Sequence, residues 1–181
     1  MWYLQVDTLL FILAATLLYA VLAAAAGRLR PGKPLTPLLI VFDLALLCFV
    51  SVQLALFYVG YTLCTYVLLR ILGAVKAPKV RRGLFVLFCV LCASPFLYAR
   101  AILLLPALPA VFTLVGISYN MLKAIDAVFY VYYADQRISL LSYANFLLFF
   151  PVLTAGPILR YRDFEKYYRN PRPVTAKVTE Q

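Results

Sequence analysis

The sequence predicts an all-α, polytopic membrane protein, and three observations carry that prediction. Of its 181 residues, 65% are hydrophobic and only 13% are charged, against about 45–50% and about 25% in an ordinary soluble domain. Mean hydropathy is +0.92. The apolar residues gather into long runs, separated by short breaks that hold most of the 17 Lys and Arg. At about 20 residues per helical crossing, the length allows about five transmembrane helices. Soluble enzymes, nucleic-acid modules and disordered chains fit this composition poorly.

The first run, residues 8–26, predicts a span that stops at the basic loop GRLRPGKP, where Pro31 and Pro34 prevent continuation. Its start lacks a basic leader region and carries Asp7, unlike a cleaved signal peptide. Residues 35–75 are almost unbroken apolar sequence, about twice one crossing. They predict two spans joined by a tight turn near Gly60-Tyr61. After KAPKVRR comes a span over about residues 83–105, kinked or interrupted near Pro95. Pro106 and Pro109 break the next stretch, and Gly116 opens a helix that runs to about Tyr133.

The polar break ADQRISLLS leads into YANFLLFFPVLTAGPIL, which Pro151 and Gly156-Pro157 cut. It reads as a re-entrant segment, because irregular backbone at membrane depth needs protein or water around it. The basic, aromatic tail from Arg160 fits a membrane interface. Residues 1–172 thus form one helical membrane domain, and 173–181 an exposed tail.

The 17 cations against 7 anions give a net charge of +10. Their position at segment ends follows the positive-inside rule and points to no nucleic-acid partner. With an external N-terminus and a returning Gly-Pro segment, both early basic loops and the C-terminal tail are cytoplasmic. Cys48, Cys64, Cys89 and Cys92 lie inside apolar runs and read as small buried residues. No set of residues suggests a metal site.

Charges inside apolar sequence are costly, about 2.5–3.5 kcal/mol each at mid-bilayer. Asp43, Arg70, Arg100, Lys123 and Asp126 therefore need partners, a cavity or snorkelling room. Tyr119, Lys123, Asp126, Tyr130, Tyr133 and Arg137 recur at steps of four and three and share one helix face. That stripe either lines a water- or substrate-filled interior or holds a Lys123–Asp126 pair that fixes packing. Beyond it, Gly156 permits close backbone approach, and Pro157 leaves a carbonyl unpaired. Arg160, Arg162 and Asp163 follow, as a site for an acidic group or as interfacial anchors.

At these residues the chain resembles the membrane-bound O-acyltransferase (MBOAT) superfamily. The resemblance covers residues 116–164, GISYNMLKAIDAVFYVYYADQRISLLSYANFLLFFPVLTAGPILRYRDF. It follows the family order of a G-I-S-Y helix, a polar loop, N-F-L-L-F-F-P and A-G-P-I-x-R-Y-R-x-F. The nearest resemblance is to bacterial D-alanyl transferases of teichoic acid and O-acetyltransferases of alginate and cellulose. It implies a helical funnel in a bacterial cytoplasmic membrane, with an acyl-CoA or acyl-carrier-protein donor inside and a polysaccharide hydroxyl outside. By position, Tyr119, Lys123, Asp126 and Tyr130 line that funnel, and Gly156, Pro157, Arg160, Arg162 and Asp163 shape the donor entrance.

The family's catalytic histidine follows that hinge in the second half of the fold, and this sequence has no His. No catalytic residue is therefore assigned within it, and no bound cofactor is expected. A split enzyme, a truncated chain and an accessory half each fit. The expectation is the non-catalytic N-terminal half of a split O-acyltransferase that transfers acetyl or D-alanyl groups. Its histidine then comes from a second membrane chain, with an acyl carrier protein as a possible partner. The alternative is a non-enzymatic membrane scaffold of an envelope polysaccharide complex.

Overall fold

The computed structural model describes residues 36–104, 117–149 and 159–169, together with helical positions 13, 14, 17, 18 and 21. Within them all regular structure is helical. The elements are α1 (Thr36–Val50), α2 (Val52–Ala74), α3 (Pro78–Leu104), α4 (Ile117–Ala134), α5 (Leu140–Leu148) and α6 (Tyr161–Arg169). Val52–Ala74 and Pro78–Tyr98 are long and apolar enough to cross a membrane. The 23 residues of α2 rise about 34 Å, more than the roughly 30 Å hydrocarbon core.

The expected turn at Gly60 is replaced by a break at Ser51. Ser51 is extended at φ −168°, and its side chain accepts from Leu54 N at 3.4 Å, an N-cap for α2. Gly60 lies inside α2, where a Cβ would meet nothing within 4 Å. Glycine is common in membrane helices, so it marks no turn here.

Pro95 sits within α3 without ending it. Its missing N–H frees the Leu91 carbonyl, and the Ser94 hydroxyl donates to that oxygen at 2.7 Å. One residue on, the Cys92 carbonyl accepts from the Tyr61 hydroxyl at 2.8 Å, which ties α2 to α3 beside the proline. Of the four cysteines only Cys92 is buried. Cys89 is half-buried, while Cys48 and Cys64 lie on exposed faces, against the expectation for all four.

Helix α4 packs most extensively on α3 and also meets α2, α5 and α6. Ala124 and Ala127 are fully buried at these contacts. Small residues allow the close approach on which membrane helix packing depends. Around them Leu69, Leu72, Phe88, Val128, Val131, Ile138, Phe146 and Leu147 form the main core. A smaller cluster of Leu47, Leu54, Ala55, Tyr58 and Leu148 joins α1 and α2 to the end of α5.

Loop 135–139 is held at several points. Ile138 is 3% exposed, the Tyr66 hydroxyl reaches its carbonyl at 3.5 Å, and Ser139 caps α5 through Ser142 N at 3.2 Å. Asp135 takes a left-handed φ of 50°, which aspartate tolerates better than most residues. The nine residues of α5 rise only about 13 Å, too short to cross. The expected first span is described only at its five helical positions. The Gly-Pro break and the tail beyond Arg169 lie outside the described residues.

Candidate functional site: a basic groove beside the α4 stripe

Three charged side chains of the bundle each meet the end of another helix, with the sign that the helix dipole favours. Helix ends leave carbonyls or amides without intrahelical partners, and apolar surroundings provide no water to satisfy them. Lys123, 3% exposed, donates from Nζ to the Phe146 carbonyl near the end of α5 at 3.1 Å. Its ammonium also lies 5.1 Å from the Tyr119 ring centre and 5.5 Å from that of Phe146. The buried Asp43 carboxylate of α1 acts on it electrostatically.

Asp126, three residues on, turns to the start of α6. Its Oδ2 accepts from Tyr161 N at 2.6 Å. Lys123 and Asp126 thus take separate partners and do not pair along the stripe. Together they hold the two helices that flank the Gly-Pro break. The third charge is Arg81 of α3, which donates from Nη2 to the Val131 and Tyr132 carbonyls at 3.0 Å each. It also pairs with Asp135 at 2.7 Å and lies 5.4 Å from the Tyr132 ring centre.

A second network docks α6. Ser142 Oγ and Tyr161 Oη donate to Glu165 Oε2 at 2.6 and 2.8 Å and lie 2.8 Å from each other. All three side chains are buried, where charge-assisted bonds are strong. Burial, with the Glu165 carboxylate beside it, pushes the Tyr161 phenol above its ordinary range, so the group stays neutral. The Tyr161 ring packs on Tyr130 and Phe146, with centroids 5.1 Å apart in each case. Ser142 stands near the start of α5, so the chain that leaves α5 at Phe149 is alongside its first turn again at Tyr161.

Between α4 and α6 opens a groove of about 630 Å³, lined by Asp126, Phe129, Tyr130, Tyr133, Ala134, Gln136, Arg160 and Arg162. That volume falls within the roughly 300–1,000 Å³ of small-molecule sites. The Tyr130 hydroxyl donates to Gln136 Oε1 at 2.8 Å on its wall. Arg160 and Arg162 are exposed and supply two guanidinium forks suited to phosphate or carboxylate.

The structure thus brings together Asp126 and Tyr130 from the stripe with Arg160 and Arg162 from the hinge. Tyr119 and Lys123 do not line the groove, and Lys123 sits in the packed contact with α5. Asp163 is exposed on α6 outside the lining, and Gly156 and Pro157 are outside the described residues. Sequence reading missed Ser142, Glu165, Gln136 and the capping role of Arg81. The four-residue spacing of Tyr161 and Glu165 was a visible sign of a shared helix face. Among the described residues, no group of three His, Cys, Asp or Glu side chains is placed to hold a metal ion.

Comparison with known proteins gives a partial match. The chain is 34% identical over 68 residues to probable alginate O-acetylases of Pseudomonas fluorescens and Pseudomonas syringae pv. tomato. The match covers 36% of this chain and 14% and 13% of those two proteins, a small part of their length. It supports an MBOAT-like relationship. No family model matches, and no solved structure does. The two long apolar helices and this similarity are consistent with a membrane protein.

Proposed function

We propose that these 181 residues form the donor side of an MBOAT-type O-acyltransferase in a bacterial inner membrane. The observation that carries the reading is the groove, where Arg160 and Arg162 converge with Asp126 and Tyr130 at the basic end of the bundle. The donor, an acyl-CoA or an acyl-carrier-protein thioester, presents its phosphate to the two arginines. The acetyl or D-alanyl group passes to a hydroxyl of a cell-envelope or exported polysaccharide: the ester C–O bond forms, the thioester C–S bond breaks, and the donor's thiol leaves with a proton. That hydroxyl must lose a proton to a base. Asp126 is a poor choice because its carboxylate holds α6; the base is instead a histidine from outside these 181 residues, which the proposal assigns to a second membrane chain.

The orientation belongs to the same proposal. Arg81 reaches from the start of α3 to the end of α4, which places Lys76, Lys79, Arg82, Arg137, Arg160 and Arg162 at one end of the bundle. The positive-inside rule makes that end cytoplasmic. The return of α6 to the first turn of α5 supports a re-entrant Gly-Pro segment.

The test is acyl transfer in membranes that hold this chain with its histidine-bearing partner. Replacing both arginines (Arg160→Gln with Arg162→Gln) should lower transfer at limiting donor by roughly a hundredfold or more, since each lost charge-assisted bond is worth about 1.5–3 kcal/mol. Lys79→Gln, on an exposed cation outside the groove, should leave it unchanged. Unchanged transfer in the arginine variants removes the groove from the mechanism. One observation favours the scaffold reading instead. Lys123, the central cation of the stripe, is committed to packing against α5 and faces no open space.

A further inference from the structure

A second basic pocket lies on another face of α4, and the acyl-transfer reading makes no use of it. It has a volume of about 110 Å³ and is lined by Leu69, Arg70, Gly73, Ala74, Val131, Arg137 and Ile138. The two arginines stand 67 positions apart in sequence and meet here because loop 135–139 is fixed against α2. Ile138 is buried, and its carbonyl accepts from Tyr66 of α2. The rest of the lining is apolar or small.

Both arginine side chains are exposed, and among the described residues neither forms an ion pair. Arg70 lies four residues before the end of α2, roughly 6 Å along the helix axis. That is headgroup depth for a helix that spans the bilayer. Snorkelling explains one such arginine. It does not explain two, from separate elements, bordering one cavity with an apolar floor. The ends of α2 and α4 point their negative poles toward this region, but Arg81 covers the Val131 and Tyr132 carbonyls and offsets that field.

We infer that this pocket binds the phosphate headgroup of an anionic phospholipid, with the apolar floor against the glycerol backbone. The volume is well below the roughly 300–1,000 Å³ of small-molecule sites, too small for a nucleotide-bearing donor and suited to one headgroup. Basic pockets between membrane helices are recognised places for such lipids. The inference rests on the membrane reading and is independent of acyl transfer.

The experiment offers the full chain, in mixed micelles, equal amounts of phosphatidylglycerol and phosphatidylcholine, and reads retained lipid by native mass spectrometry. Phosphatidylglycerol should be retained preferentially. Arg70→Gln and Arg137→Gln should each lower its retention about fivefold, the effect of about one interfacial cation. Gly73→Ala tests the cavity itself at constant charge. The added methyl would sit 3.7 Å from Val131 Cγ1, an ordinary contact, so the helix pair survives while the pocket narrows and retention falls. Equal retention of the two lipids overturns the inference. So does a Lys79→Gln loss as large as the pocket variants', which would reveal diffuse charge attraction. Displacement of the lipid by millimolar inorganic phosphate would also overturn it, as the mark of a free-anion site.

Discussion

Lys123 and Asp126 stand one helical turn apart on α4, and each supports a different neighbour. Lys123 satisfies a carbonyl at the end of α5, and Asp126 an amide at the start of α6. Lys123→Met should therefore cost about 2 kcal/mol, the worth of a charged hydrogen bond whose buried partner is left behind. Asp126→Ala should cost about 1 kcal/mol, as loss of an N-cap does. Hydrogen exchange in micelles separates them: the first should speed exchange in α5, the second at the start of α6. Identical exchange patterns in both variants would contradict separate roles. The steps of four and three made the shared face legible in the sequence. The partners were not legible, because spacing shows only which residues of one helix are neighbours. It cannot show that unsatisfied ends of other helices come close enough to take the charges.

At the scale of elements, the position of breaks was harder to read than their existence. Two spans were expected between residues 35 and 75; two helices are present, divided at Ser51, and of these α2 alone is long and apolar enough to cross a membrane. Glycine signals a turn when the backbone needs positive φ or close approach, and nothing presses on Gly60 within α2. Ser51 divides the run by capping, a signal easily overlooked between apolar flanks. Gly60→Ala should accordingly stabilise the protein by up to about 1 kcal/mol through helix propensity, read as thermal unfolding in detergent. Destabilisation would restore the turn. Pro95 was legible as a perturbation of α3. That the helix continues depends on the Ser94 hydroxyl at Leu91 and the Tyr61 hydroxyl at Cys92, and the Tyr61 contact is long-range.

For the molecule as a whole, composition made the helical structure of the described residues legible, with two helices long and apolar enough to cross a membrane, and the bundle gathers its described basic residues largely at one end. The candidate site was legible in part. Arg160 and Arg162 were singled out, and α6 docking through Ser142, Tyr161 and Glu165 brings them to Asp126 and Tyr130. The groove holds anion-binding groups but no histidine, and the 181 residues contain none. The central claim is that this basic groove works with a base from another membrane chain. The most direct measurement is recovery of the tagged chain from its native membrane in mild detergent. Mass spectrometry then identifies what remains bound, and the recovered material is assayed for acetyl and D-alanyl transfer. The account predicts a histidine-bearing membrane polypeptide and transfer that requires it. A well-folded chain recovered alone, or transfer by the isolated chain, would contradict it.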